Sequence, residues 1–235
     1  MQAKANTQKE GQEIMEKKRK SCFFAGVGLL SAFALWTVLV CIVDVRAIGP
    51  QQSSVGFATL NGCIHNLTGV NMTLYIITDW LGLVPIGVAF GFAVLGLLQW
   101  IKRKSLFTVD RSILVLGGFY IVVAAVYILF EIVVINYRPT LIEGCLEASY
   151  PSSTTMLVMC VMPTAMMQLR ARVKNTVLRR CIMLAIVAFI AFMVIGRVAS
   201  GVHWITDIIG GVLLSTALVL LYYAIGNPQQ NDKLK

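Results

Sequence analysis

The stretch GRVASGVHWITD, Gly196 to Asp207, places an arginine, a histidine and an aspartate within twelve residues. His203 is one of two histidines in the chain, and Asp207 follows it by four positions. Helical positions i and i+4 share a face, so this spacing predicts a carboxylate that accepts from one imidazole nitrogen and fixes the tautomer. The other nitrogen is then open as a nucleophile or base. Arg197, six residues before His203, carries a permanently charged fork that matches phosphate geometry. Together these residues read as half of a phosphate site.

The elements that must position them are membrane helices. The chain has 235 residues, 57% hydrophobic and 13% charged, with a mean hydropathy of +0.78. A soluble domain carries about 25% charged residues. Six apolar stretches are long enough, or nearly so, to span a bilayer: Cys22–Val43, Leu74–Trp100, Ile113–Val134, Ser152–Leu169, Cys181–Ile195 and Ile205–Ile225. The fourth and fifth are short, and Pro163 is expected to kink the fourth. The sequence thus predicts an all-α, six-transmembrane helix bundle. A cytoplasmic N-terminal tail occupies 1–21, the membrane domain 22–225, and a cytoplasmic C-terminal tail 226–235. Residues 2–20 are expected to be a frayed tail or a short interfacial helix.

Of the 20 basic residues, only Arg46, Arg138 and Arg197 lie outside the two tails and the alternate loops around 102–111 and 170–180. The positive-inside rule then puts both termini in the cytoplasm. It also makes the net charge of +9 a topology signal rather than a nucleic-acid one. No His/Cys cluster has metal-ligand spacing. Cys63 and Cys145 fall on outer loops, and the sequence leaves open whether they pair. His65 reads as a loop or interfacial histidine, and Asp79 as an interfacial charge.

This topology brings three polar clusters to the outer face: Tyr137-Arg138-Pro139-Thr140, Tyr150-Pro151-Ser152-Ser153-Thr154, and Gly196 to Asp207. Their order and spacing resemble the type-2 phosphatidic acid phosphatase superfamily, which includes bacterial undecaprenyl-diphosphate phosphatases. Its signatures are K-x6-R-P, P-S-G-H and S-R-x5-H-x3-D. The third is the specific part, present as Arg197, Gly201, His203 and Asp207. The resemblance implies that His203 attacks phosphorus and becomes a phosphohistidine, with Asp207 holding it. Arg138, Arg197, Ser152 and Ser153 would bind the phosphoryl oxygens with nearby backbone N–H groups. It implies no metal or other cofactor.

Four positions depart from the signatures. Glu131 stands where the family has lysine, Ser153 and Thr154 where it has glycine and histidine, and Gly196 where it has serine. The missing histidine is the family's general acid. A phosphate leaving group departs unprotonated near neutral pH whereas an alkoxide does not, so Thr154 predicts a bias toward lipid diphosphates. The expected function is hydrolysis of a lipid phosphate or diphosphate, such as phosphatidic acid or undecaprenyl diphosphate. The expected setting is a bacterial plasma membrane, with the site facing outside and no nucleic-acid partner. The alternative is a weak or inactive member that binds or transports a lipid phosphate. The oligomeric state is not legible.

Overall fold

A computed structural model describes residues 2–226, with side chains from Lys9 onward. The expected C-terminal tail therefore lies outside the described residues, Gly226 excepted. Eight α-helices follow one another: α1 (Gln2–Ile42), α2 (Ala58–Thr68), α3 (Met72–Leu81), α4 (Leu83–Arg103), α5 (Arg111–Ile132), α6 (Ser153–Arg172), α7 (Thr176–Ala199) and α8 (Ile205–Gly226). The described residues contain no strand, only isolated bridges such as Tyr137 with Ala148. Two helix starts are capped by asparagine: Asn71 Oδ1 accepts from Leu74 N at 2.9 Å and Asn175 Oδ1 from Leu178 N at 3.0 Å. Each satisfies a first-turn N–H that has no helical partner.

Five stretches are long and apolar enough to cross a membrane: Lys9–Ile42, Met72–Arg103, Arg111–Ile132, Thr176–Ala199 and Ile205–Gly226. The chain is a multi-pass membrane protein. The expected fourth span, α6, is not among the five. It carries Thr154, Thr155, Thr164, Gln168, Arg170 and Arg172, and it runs through Pro163 without ending. Its buried face takes up the threonines and Gln168, because α6 packs against α4, α5, α7 and α8 rather than presenting an apolar surface all round, while Arg170 and Arg172 fall in its last turn.

Three boundaries also differ from the sequence expectation. Residues 2–20 are neither frayed nor a separate helix but continue into α1. The fifth span is not short: α7 takes in Arg179 and Arg180 at one end, where long cationic side chains can reach past the apolar zone, and the buried Arg197 at the other. Gly82 alone separates α3 from α4 and keeps helical dihedrals, so the two form one long span.

Half of the apolar window of α8 is buried, against 6% for Met72–Arg103, which makes α8 the axis of the bundle. It packs along α1 and α6. Small residues permit this approach. A Cβ on Gly210 would lie 2.7 Å from the Tyr150 ring, and one on Gly211 3.2 Å from the Ser152 carbonyl. Tyr150 in turn stacks on Phe33 of α1 and hydrogen-bonds Thr37 at 2.7 Å. The segment entering α6 is thereby clamped between α1 and α8.

The polar loops collect at one end of the bundle. Asn71 N donates to Ser200 O, Ser152 N to Asp207 O, and the Trp204 indole to Tyr137 O. At the opposite end Arg103 pairs with Asp110 at 3.0 Å, Arg172 donates to Ser112 and Gln168, and Arg19 donates to Ala224 O. Cys63 and Cys145 are both exposed free thiols, so no disulfide joins these loops.

Candidate active site

Asp207 is fully buried in the first turn of α8, and its carboxylate accepts from four groups. Trp204 N and Asn136 Nδ2 donate at 3.1 and 3.2 Å, Thr206 Oγ1 at 3.5 Å, and Ser149 Oγ at 2.5 Å. The contact with Trp204 N closes the helix start as a capping-box acid does. Asn61 of α2 braces the same turn through Thr206.

The expected direct contact between Asp207 and His203 is replaced by a serine relay. Helix α8 begins at Ile205, so His203 lies in the preceding turn and the i, i+4 helical geometry does not apply. Ser149 Oγ stands 3.0 Å from His203 Nδ1 while donating to Asp207. Arg197 Nη2 approaches His203 Nε2 at 2.9 Å. A guanidinium has only donors, so Nε2 is the acceptor. In the neutral ring the proton then sits on Nδ1 and is donated to Ser149. Burial, with Arg138 and Arg197 alongside, holds His203 well below the ordinary imidazole pKa, and the ring is neutral.

The two arginines converge on one ring. The guanidinium carbons of Arg138 and Arg197 lie 5.6 and 5.0 Å from the Tyr75 ring centroid, within cation–π range. Arg197, at 0% exposure, also reaches Thr78 at 3.4 Å and Asp79 at 3.7 Å. Arg138 Nε is 3.1 Å from the Glu147 carboxylate, but its angle makes this an ion pair rather than a hydrogen bond. Arg138 Nε and Nη1 and Arg197 Nε are buried with no hydrogen-bond partner. Two guanidinium groups held together with open donors are an arrangement that can accept an anion.

A cleft of about 680 Å³ opens beside Arg138, lined by Tyr75, Asp79, Glu131, Glu147, Ser153 and Thr154. Its other walls are apolar, with Leu83 and Ile86 of α4, Val134 after α5, and Leu157 of α6. The N-terminus of α6 meets this cleft, and its first N–H groups have no partner within the helix.

Of the sequence-expected site residues, His203, Asp207, Arg138 and Arg197 come together. Ser153, Thr154 and Glu131 line the cleft. Ser152 is fully buried behind them: its N–H donates to Asp207 O, and its hydroxyl accepts from Thr155 at 3.1 Å. His65, on α2, packs its ring 5.4 Å from Trp204, and burial lowers its pKa. Among the described residues no group of three or more His, Cys, Asp or Glu side chains is arranged to hold a metal.

Sequence reasoning did not identify Ser149, Asn136 or Tyr75. Asn136 and Ser149 each stand one residue before a cluster already singled out, those beginning at Tyr137 and Tyr150. Tyr75 and Asp79 are spaced i, i+4 on α3, a shared face that the sequence does carry.

Gly201 seats the turn that presents His203. Its φ is +65°, and a Cβ there would lie 1.7 Å from Gly69 O. Only glycine fits the left-handed backbone and the close crossing of the α2–α3 loop.

The chain is similar to a solved Bacillus subtilis protein described as the first transmembrane PAP2 type phosphatidylglycerolphosphate phosphatase. The two are 20% identical, with a TM-score of 0.48 over 89% of this chain and 97% of that one. No curated protein matches. The family model of the PAP2 superfamily matches residues 84–230, a range that holds Glu131, Arg138, Ser152, Arg197, His203 and Asp207, and the chain belongs to that superfamily.

Proposed function

We propose that the protein hydrolyses a lipid phosphate through a phosphohistidine on His203. The observation that carries this reading is the double hold on the imidazole, with Ser149 and Asp207 on Nδ1 and Arg197 on Nε2. The neutral tautomer directs a lone pair from Nε2. When a phosphoryl group enters, Arg197 moves its Nη2 donor from that nitrogen to a phosphoryl oxygen. The lone pair forms the N–P bond and the P–O bond to the leaving group breaks. Positive charge that develops on the ring is stabilised through Ser149 by the Asp207 carboxylate. Water then attacks phosphorus, the N–P bond breaks, and inorganic phosphate leaves.

Arg138, Arg197, Ser153 and the first N–H groups of α6 bind the phosphoryl oxygens as charge builds up on them. In this reading Ser152 fixes the α6 terminus against α8 instead of touching substrate. Leu83, Ile86, Val134 and Leu157 give the otherwise polar cleft an apolar side that suits an alkyl chain, which supports a lipid substrate. The basic end of the bundle lies on the cytoplasmic side by charge bias, so the cleft faces outward.

The test is phosphate release by purified protein in detergent from phosphatidic acid and undecaprenyl diphosphate, with His203→Ala as control. Release that His203→Ala abolishes, with an acid-labile phosphoryl group trapped on His203, supports the reading. Binding of both lipids without turnover supports the alternative, a lipid-phosphate binding member.

A further inference from the structure

Departure of an alkoxide from phosphorus requires a proton donor at the leaving oxygen. Among the residues lining the cleft there is no histidine, lysine or cysteine. Three carboxyl groups line it, and two are committed. Asp79 faces the Arg197 guanidinium at 3.7 Å and Glu147 the Arg138 guanidinium at 3.1 Å, so each serves as a counter-ion. Glu131 forms no ion pair among the described residues. It sits on the last turn of α5 and shares a face with Tyr127 at i, i+4, and both line the cleft with Thr154 and Arg138. Glu131 also borders a water-sized space shared with Ser149, Pro151 and Ser153.

We propose that Glu131 is the proton donor to the leaving group, an assignment that rests on the phosphatase reading above. The charges support it. The cleft and the arginine pair hold two guanidinium groups against Asp79, Glu131 and Glu147, and a phosphate dianion adds two negative charges. Negative charge brought in with the substrate favours uptake of a proton at the site. With Asp79 and Glu147 each facing a guanidinium, Glu131 is the cleft carboxyl without an ion-pair partner among the described residues, and so the one placed to pass a proton to the leaving oxygen.

The step balances. His203 Nε2 bonds phosphorus, the P–O bond breaks, and its electron pair takes the Glu131 proton to give the free alcohol. Glu131, now a carboxylate, receives a proton from the water that attacks the phosphohistidine. Inorganic phosphate, neutral His203 and protonated Glu131 result. The bias toward diphosphates expected from Thr154 then belongs to a protein lacking the Glu131 carboxyl, not to this chain.

The experiment compares Glu131→Gln with the unaltered full chain on two substrates. Short-chain phosphatidic acid has an alkoxide leaving group, and 4-nitrophenyl phosphate has a phenolate that departs unprotonated. The expected result is a loss of about 10²–10⁴-fold on phosphatidic acid, with the aryl phosphate changed by only a few-fold. Retained aryl activity also reports an intact fold. Equal loss on both substrates, or no loss on phosphatidic acid, overturns the assignment. So does a selective loss in Tyr127→Phe with Glu131→Gln silent, which makes the phenol the donor. Absence of His203-dependent release from either substrate in the unaltered chain instead overturns the phosphatase reading, and this inference with it.

Discussion

Arg197 donates from Nη2 to His203 Nε2 at 2.9 Å, so a buried guanidinium occupies the lone pair that the Ser149–Asp207 relay directs outward. The same side chain touches Thr78, Asp79 and the Tyr75 ring. It is placed to exchange one partner for a phosphoryl oxygen while the others hold it in position. A lysine offers a point charge without a fork. Arg197→Lys is expected to lower kcat/KM for phosphate release by about 10²–10³-fold, the usual cost of losing a positioned donor to a developing oxyanion. A loss below about tenfold would mean that charge alone suffices at this position.

Ser149 gives a sharper test, because its role rests on two contacts made by one hydroxyl. Ser149→Ala leaves Asp207 with its bonds to Trp204 N, Asn136 and Thr206 but severs its link to His203. A hydrogen bond to a charged group contributes about 1.5–3 kcal/mol, so turnover is expected to fall about 10- to 100-fold. A structural loss would lower the thermal midpoint in detergent in parallel with activity. A positioning loss lowers activity alone and shifts the ¹⁵N resonances of His203 toward a mixed tautomer.

The depressed pKa of His203 fixes the sign of two pH effects. The folded ring stays neutral below the pH at which the free imidazole protonates, about 6.5. The acid limb of kcat/KM due to this group is therefore expected below pH 6.5. For stability, the unfolded state binds a proton in this window while the folded state does not. Stability then rises with pH up to about 6.5 and is lost as pH falls below it. The thermal midpoint is expected to drop between pH 7 and pH 5, and His203→Gln is expected to flatten that slope.

The helices and the site were legible in the sequence to different depths. Apolar runs mark five spans because bilayer length and composition act on each run separately. The expected fourth span, α6, is less apolar because it is buried in protein, where its threonines and Gln168 are tolerated without lipid contact. His203, Asp207, Arg138 and Arg197 were legible as residue types at set spacings. The relay was not, since it depends on α8 starting at Ile205 and on Ser149 reaching the site from the segment before α6. Arg197 was assigned to a crossing loop, yet it occupies the last turn of α7, where three neighbours offset the burial of its charge. Such contacts are set by tertiary packing, which no local pattern encodes.

Gly201 tests whether the turn before α8 is what holds His203 in place. Its backbone is left-handed, a conformation that costs an L-residue with a Cβ about 1–2 kcal/mol. A methyl group there would also sit 1.7 Å from the Gly69 carbonyl oxygen, a backbone atom that cannot rotate aside. The α2–α3 loop and the α7–α8 turn must then separate, breaking the nearby Asn71 N to Ser200 O bond. Displacement of about 1 Å at a reacting group can cost 10²-fold in rate. Gly201→Ala is therefore expected to lower both the thermal midpoint and turnover. Gly117→Ala on α5, where a Cβ meets nothing within 4 Å, is expected to leave both unchanged or slightly raise the midpoint. A Gly201→Ala protein that matches the Gly117→Ala protein in both would mean that the two loops part freely, and that α8 and the Ser149 relay alone position His203.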